Sequence, residues 1–332
     1  MKLPVRLVDE LPTEAVIVVD GFASSARGLV LSHWPGNTTP RDLAHELSTG
    51  SALRFAALPR ADRERRAAGC VAIVNNHYDT DGVLAMFAVR SPEAALERAD
   101  ALLAAARAGD FYQARDAEAL ALDTLVTRFA EPGASPLDLD GLSARECEQA
   151  ALDHLVEALP WILDGGLDEF GYLFEDRVAA VEEDRELLEW GDRHEFEASD
   201  ATAWLVGCPV GVDTFDPMRH ALFGATERNT VVALGTGDGG TSCRLILSTK
   251  SWFDLPTVTP APRPDLAAWA AELNDLEGTS PADESAWRAE PVSAASPELW
   301  FGGRNKFSFA DRAGVLAPSS LRPSAILRIL AG

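Results

Sequence analysis

The stretch VAIVNNHYDTDGVLAMFAV, Val71 to Val89, decides how the chain is read. An apolar, β-branched run breaks off into Asn, Asn, His, Asp and Asp. A glycine follows, and the chain turns apolar again. Read as strand, turn and helix, it sets the polar groups at the carboxyl end of a strand, where open α/β sheets bind their ligands. Gly82 allows the tight turn. His77, Asp79 and Asp81 alternate, so in extended chain their side chains project to one side. One imidazole and two carboxylates converging there make a site for one or two divalent cations. Mn²⁺ or Mg²⁺ suits the donors first, with Zn²⁺ or Fe²⁺ also compatible. Without a cation the two carboxylates would repel each other.

The flanking chain supplies the rest of a sheet. AVIVVDG (Ala15–Gly21) and RGLVLSHWPGN (Arg27–Asn37) read as further strands. TPRDLAHELSTGSALRFAAL reads as a helix with Thr39 as N-cap and Pro40 at its first position. Strands alternating with helices predict an α/β fold with a parallel, doubly wound sheet. Asp20 and His33 then close strands at the same edge as His77, as candidate metal ligands or their supports. Asn76, beside them, is a candidate for holding substrate.

From Pro92 to about Glu197 the pattern is helical. SPEAALERADALLAAARAG has Ser91 as N-cap and Gly109 as a stop. The acid-rich run from Gly165 to Asp200 reads as a solvated helix face. After Asp200 short β-like segments predominate, among them TVVALG, SCRLILSTKSW and LWFGG, with one helix from about Asp265 to Leu276. The expected layout is an α/β metal-binding domain over 1–200, with a long helical insertion over 92–197. A smaller, mainly antiparallel α+β substrate domain follows over 201–332. GTGDGG at Gly235 leads into strand-like TSCRLILS, so it predicts a hairpin and not a dinucleotide-binding turn.

Charge narrows the function. The chain carries 52 acidic and 29 basic residues, a net of −23. Such a surface repels polyanions and excludes duplex nucleic acid as a partner, while a small anionic substrate in a local pocket is allowed. The cysteines Cys70, Cys147, Cys208 and Cys243 form no CxxC pair and read as reduced thiols. The N-terminal MKLPVRLVDELPTEAVIVVDG lacks the apolar core of a signal peptide. No apolar run has the length of a membrane span. These features predict a cytoplasmic protein without a membrane partner, and a homodimer is compatible with them.

Three motifs compete for the opening stretch. An EF-hand loop beginning at His77 would need Glu at its twelfth position, which is Ala88. DTDGVL resembles the first motif of haloacid-dehalogenase phosphatases. That family runs an apolar strand directly into the first Asp, and here Asn75-Asn76-His77-Tyr78 intervenes. NNHYDTDGVLAMFAV is similar to the first motif of the DHH-type phosphoesterases: strand, H-x-D-x-D-G, then a helix of small and apolar residues. The resemblance implies a Mn²⁺ or Mg²⁺ pair held by His77, Asp79 and Asp81, a water attacking phosphorus, and a smaller C-terminal substrate domain.

The family's Asp-His-His triplet is absent. Its nearest counterpart is Asp153-His154 in EQAALDHLVEAL, which makes Asp153 a further candidate ligand and His154 a candidate catalytic group. The family's Gly-Gly-Gly-His loop is also absent. WFGGRNKFSF offers Gly302, Gly303, Arg304 and Lys306, a flexible backbone with two cations able to hold a phosphate, sulfate or carboxylate. The expected function is a divalent-metal-dependent hydrolase of a small phosphorylated or otherwise anionic substrate. The alternatives are a non-catalytic metal- or ligand-binding protein, a tailoring enzyme of different chemistry, and a haloacid-dehalogenase-like phosphatase.

Overall fold

A computed structural model describes residues 3–21, 26–304 and 310–331. The chain forms two compact units. One holds residues 1–178 with 253–259, and the other holds 179–252 with 260–332.

In the first unit the β-branched runs become β1 (Val5–Leu7), β2 (Val16–Val19) and β3 (Gly28–Leu31). Then come α1 (Ser48–Ala56), α2 (Arg60–Arg66), β4 (Ile73–Asn75) and α3 (Thr80–Arg90). The strands form one parallel sheet in the order β1-β4-β2-β3. Their side chains alternate between faces. Ile17, Val19, Leu29, Leu31 and Ile73 pack into the core shared with the helices. Val16, Val18, Val30 and Val74 form a smaller cluster with Val8, Leu11 and Ala26. Val18 pairs with both Val30 and Val74. That register brings the carboxyl ends of β2, β3 and β4 level, so Asp20, His33 and His77 leave the sheet at one edge.

α3 is apolar all round, the mark of a fully buried helix. Every residue from Val83 to Val89 is buried. Around it lie α4 (Pro92–Leu96), α5 (Ala99–Phe111), α6 (Ala117–Phe129) and α7 (Ala144–Trp161). α8 (Gly171–Trp190) runs from the first unit into the second. The division at Val178 thus falls inside a helix, whereas the texture of the sequence changes near residue 200.

Three local expectations are corrected. The helix expected from Thr39 begins at Ser48, because Thr39 Oγ1 is tied to the Ser32 backbone at 2.7 and 2.8 Å. The helix expected over Ser91–Gly109 breaks after Leu96, resumes at Ala99 and passes Gly109. Tyr112, with left-handed φ of 55°, ends it. Finally, helical texture was expected to Glu197, but DRHEF forms the exposed edge strand β5 (Asp192–Phe196).

The second unit continues with β6 (Ala201–Gly207), α9 (Arg219–Gly224), β7 (Thr230–Gly237) and β8 (Gly240–Leu247). It ends with α10 (Leu266–Glu277), β9 (Ala286–Ala289), β10 (Glu298–Gly302) and α11 (Pro323–Ala331). Its sheet has the order β5-β6-β7-β8-β10-β9. It is mixed: β6 and β7 are parallel and the other pairs antiparallel. GTGDGG is the expected hairpin, with Gly237 opposite Gly240. Leu266, Leu273, Ile326 and Leu330 cover the apolar face of the sheet. Among the described residues no helix is long and apolar enough to cross a membrane. The whole is a mixed α/β protein with a parallel sheet, a mixed sheet and helices.

The interior of the second unit also holds charge. Glu298 is fully buried between the buried guanidiniums of Arg219 and Arg244. It accepts from Arg244 at 2.9 and 3.0 Å and pairs with Arg219. Removing one partner of such a group leaves uncompensated buried charge. Glu298→Ala should therefore lower the unfolding free energy by about 3–5 kcal/mol, read from urea melts. A loss within the error of the melts would contradict this account of the second core.

Candidate metal centre

At the carboxyl edge of the parallel sheet four carboxylates and two imidazoles converge: Asp20, Asp79, Asp81, Asp110, His33 and His77. Asp20 directly follows β2 and takes a left-handed backbone, φ 51°, which Asp tolerates better than bulkier residues. Its carboxylate is fully buried and divides its two oxygens. Oδ1 lies 3.4 Å from His33 Nε2 and accepts from Ser48 Oγ at 2.9 Å. Oδ2 lies 2.9 Å from His77 Nε2.

Among the described residues two donor groups result, with Asp20 common to both. Asp20, His77 and Asp79 form one, and Asp20, His33 and Asp81 form the other. In the first, His77 Nε2 is 2.9 Å from Asp79 Oδ2. In the second, His33 Nε2 is 3.7 Å from Asp81 Oδ2 and 3.1 Å from Asp110 Oδ2. The groups differ in access. The side chains of His33 and Asp81 are 0% exposed and that of Asp110 7%, while His77 and Asp79 are 27% and 38% exposed.

Both histidines are fixed from behind. His33 Nδ1 lies 2.6 Å from the Glu46 carbonyl, an acceptor only, so Nδ1 carries a proton. Phe253 stacks on the ring at 3.8 Å. His77 Nδ1 is 3.1 Å from Asn76 Oδ1, and Trp34 leans on that ring at 4.9 Å. Each Nε2 therefore faces carboxylates either with a second proton or with its lone pair. Metal-binding histidines show this arrangement, one nitrogen donating to a backbone or amide oxygen and the other aimed at the ion. His33 Nε2 is buried and, among the described residues, has no well-formed hydrogen bond.

Charges in this space shift one another. Burial alone would lower the His33 pKa, but hydrogen bonds to Asp110 and Asp20 and the nearby carboxylate charges raise it well above the ordinary value. Burial opposes protonation of His77 too, yet the charges of Asp79 and Asp20 push it up to about 12. Burial would raise Asp20, but His77 and His33 hold it well below the usual carboxylate range. Asp81 is pushed up to about 6 by burial and the Asp20 charge. Asp110 is raised well above the usual carboxylate range by burial and the Asp81 charge. Four ionised acids would outweigh two protonated imidazoles, the raised pKa values of Asp81 and Asp110 register that crowding, and a divalent cation offsets it directly. The donor set, carboxylate oxygen with imidazole nitrogen, fits such an ion.

The alternation argument for His77, Asp79 and Asp81 needs correction. The chain is not extended through Asp81, because α3 begins at Thr80 with Asp79 as its N-cap, accepting from Gly82 N at 2.8 Å. His77 and Asp79 stay together while Asp81 turns into the other group. There it caps α1, accepting from Ser48 N and Thr49 N at 2.7 Å each. That external cap explains why α1 starts at Ser48 with no cap of its own. Asn76 orients His77.

Asp153 and His154 lie exposed on α7 and join neither donor group. Asp153 accepts from Gln149, and the His154 ring stacks on Phe129. In the second unit Gly302 pairs with Leu316, and Gly303 N donates to the Val315 carbonyl at 2.9 Å. The Arg304 guanidinium donates to the carbonyls of Pro281 and Ala282. Lys306 lies outside the described residues.

Asp110 was not singled out from sequence. Its one signal is an acid in the last turn of α5, where the helix dipole favours a cation. Ser48, whose hydroxyl holds Asp20, left no signal.

A family model described as a family of unknown function (DUF6687) matches residues 5–332. No curated protein shows a significant match to the chain, and no solved structure does.

The loop carrying His77 and Asp79 is pinned from behind. Tyr78 Oη donates to the Val126 carbonyl at 2.7 Å. Tyr78→Phe should lower the unfolding free energy by about 1 kcal/mol, equally with and without a chelator, in urea melts. A much larger loss confined to metal-loaded protein would place Tyr78 in the centre itself.

Proposed function

The chain belongs to the DUF6687 family, whose function is unknown, and we propose that it is a divalent-metal-dependent hydrolase of a small anionic substrate. One observation carries the reading: the single buried carboxylate of Asp20 offers one oxygen to each of two histidine–carboxylate groups. A carboxylate placed so is suited to bridge two ions. His77 and Asp79 would hold the outer ion. His33, Asp81 and Asp110 would hold the inner one. Mn²⁺ or Mg²⁺ fits the oxygen-rich donors best. Bound there, such a pair supplies an activated water at neutral pH and neutralises charge developing on the attacked group.

This chain's own residues do the arranging. Glu46 and Asn76 hold the imidazoles in one orientation, Ser48 holds Asp20, and the backbone of α1 holds Asp81. The partial exposure of His77 and Asp79 leaves the outer group open to a substrate. We extend the DHH-type resemblance to a phosphoester as substrate, with the H-x-D-x-D-G string as its support. A ligand site at the carboxyl edge of the parallel sheet belongs to the same reading, supported by Asp20, His33 and His77 all following strand ends. The cysteines, none of them in a disulfide, support a cytoplasmic setting.

The closed inner group favours a second reading, in which the ion only ties α1, α3 and α5 together and the protein binds without catalysis. Mn²⁺ titration tests the assignment. Wild type should take up two ions per chain, His77→Ala one, and Asp20→Ala neither. Turnover of a generic phosphodiester or phosphomonoester with Mn²⁺, stopped by chelation, supports the hydrolase. Two bound ions with no turnover across a broad phosphoester panel would shift the balance to the binding protein. Full metal uptake by Asp20→Ala would sink both readings.

A further inference from the structure

Asn75 closes β4, and its side chain lies in the gap between two glycines. A Cβ on Gly21, the residue after Asp20, would fall 2.6 Å from Asn75 Oδ1. A Cβ on Gly82, the residue after Asp81, would fall 2.2 Å from Asn75 Nδ2 and 3.0 Å from Asp79 Oδ1. The carboxamide thus sits where the segments bearing Asp20, Asp79 and Asp81 meet. Its orientation is fixed, because Oδ1 accepts from Asn76 N at 2.7 Å. Nδ2 is therefore the free end. It is buried and, among the described residues, has no hydrogen-bond partner.

A buried donor left unmade is costly, and a native structure that keeps one calls for an explanation. Several neighbouring donors are committed elsewhere. Both histidine Nδ1 atoms face their own acceptors, and Ser48 Oγ donates to Asp20. The amides of Ser48 and Thr49 go to Asp81, and that of Gly82 goes to Asp79. Two cations can grip an oxyanion through its oxygens, yet these carboxylates offer it no hydrogen bond. We infer that Asn75 is a ligand-binding residue whose Nδ2 donates to an oxygen of a phosphate-type oxyanion held at the cation cluster. The inference rests on the cation reading above, since the carboxylates alone would repel an anion.

The test is the binding of inorganic phosphate to the full chain loaded with Mn²⁺, followed by calorimetry. Asn75→Ala removes the donor. Asn75→Asp keeps the shape and the acceptor for Asn76 N, and so serves if the alanine variant does not fold. Both should keep wild-type Mn²⁺ stoichiometry. Phosphate should bind about 10- to 100-fold more weakly, the usual range for a lost hydrogen bond to a charged group. Phosphate affinity within about twofold of wild type in both variants overturns the inference, as does a wild type that holds Mn²⁺ without binding phosphate. So does Mn²⁺ loss in parallel with phosphate loss, which would make Asn75 a support of the metal ligands instead. A wild type that takes up no Mn²⁺ overturns the cation reading, and this inference with it.

Discussion

The mutual repulsion of buried carboxylates is the constraint around which the first unit is organised. Asp20, Asp81 and Asp110 meet within a few ångströms of His33 Nε2 with almost no solvent to screen them. Desolvating charge is expensive, and like charges add to the cost. The fold answers with what donors it has. Two imidazoles whose pKa these charges raise, one serine hydroxyl and the amides of α1 face these oxygens. Burial and mutual repulsion still raise the pKa of Asp81 and Asp110, and a site destabilised in this way is one that binding a cation would relieve.

The same residues hold the architecture together. Asp81 stands in the first turn of α3 yet caps α1, so one carboxylate fixes two helices at the sheet edge. Thr49 Oγ1 returns a bond to the Asp81 carbonyl at 3.0 Å. Thr80 donates to Asp123 of α6 at 2.6 Å, and Tyr78 reaches the backbone of that helix. The loop between β4 and α3 is thereby fixed on both sides of its metal-ligand candidates. Rigid support of this kind is what a preorganised site requires.

Much of this was legible in the sequence because it follows local rules. The β-branched runs ending in Asp20, His33 and Asn75 mark strands, and parallel pairing brings their ends to one edge. The apolar run after Gly82 marks a buried helix. What could not be read was long-range. That Asp81 would cap α1, thirty-odd residues earlier, depends on how α1 packs against α3. That Asp110 would approach His33 depends on the turn of α5 that faces the sheet edge. Asp153-His154 misled because family likeness places a pair by sequence, whereas α7 presents both to solvent. The edge strand β5 was missed because DRHEF is polar on both faces, and its strand character comes from pairing with β6.

Anomalous diffraction from crystals grown with Mn²⁺ tests the central claim most directly. The account predicts two anomalous peaks about 3.5–4 Å apart, one on each side of the Asp20 carboxylate, with His77 and Asp79 on one and His33 and Asp81 on the other. Density free of anomalous signal at Asp20, with His33 and His77 still directed at the bare carboxylates, would contradict it.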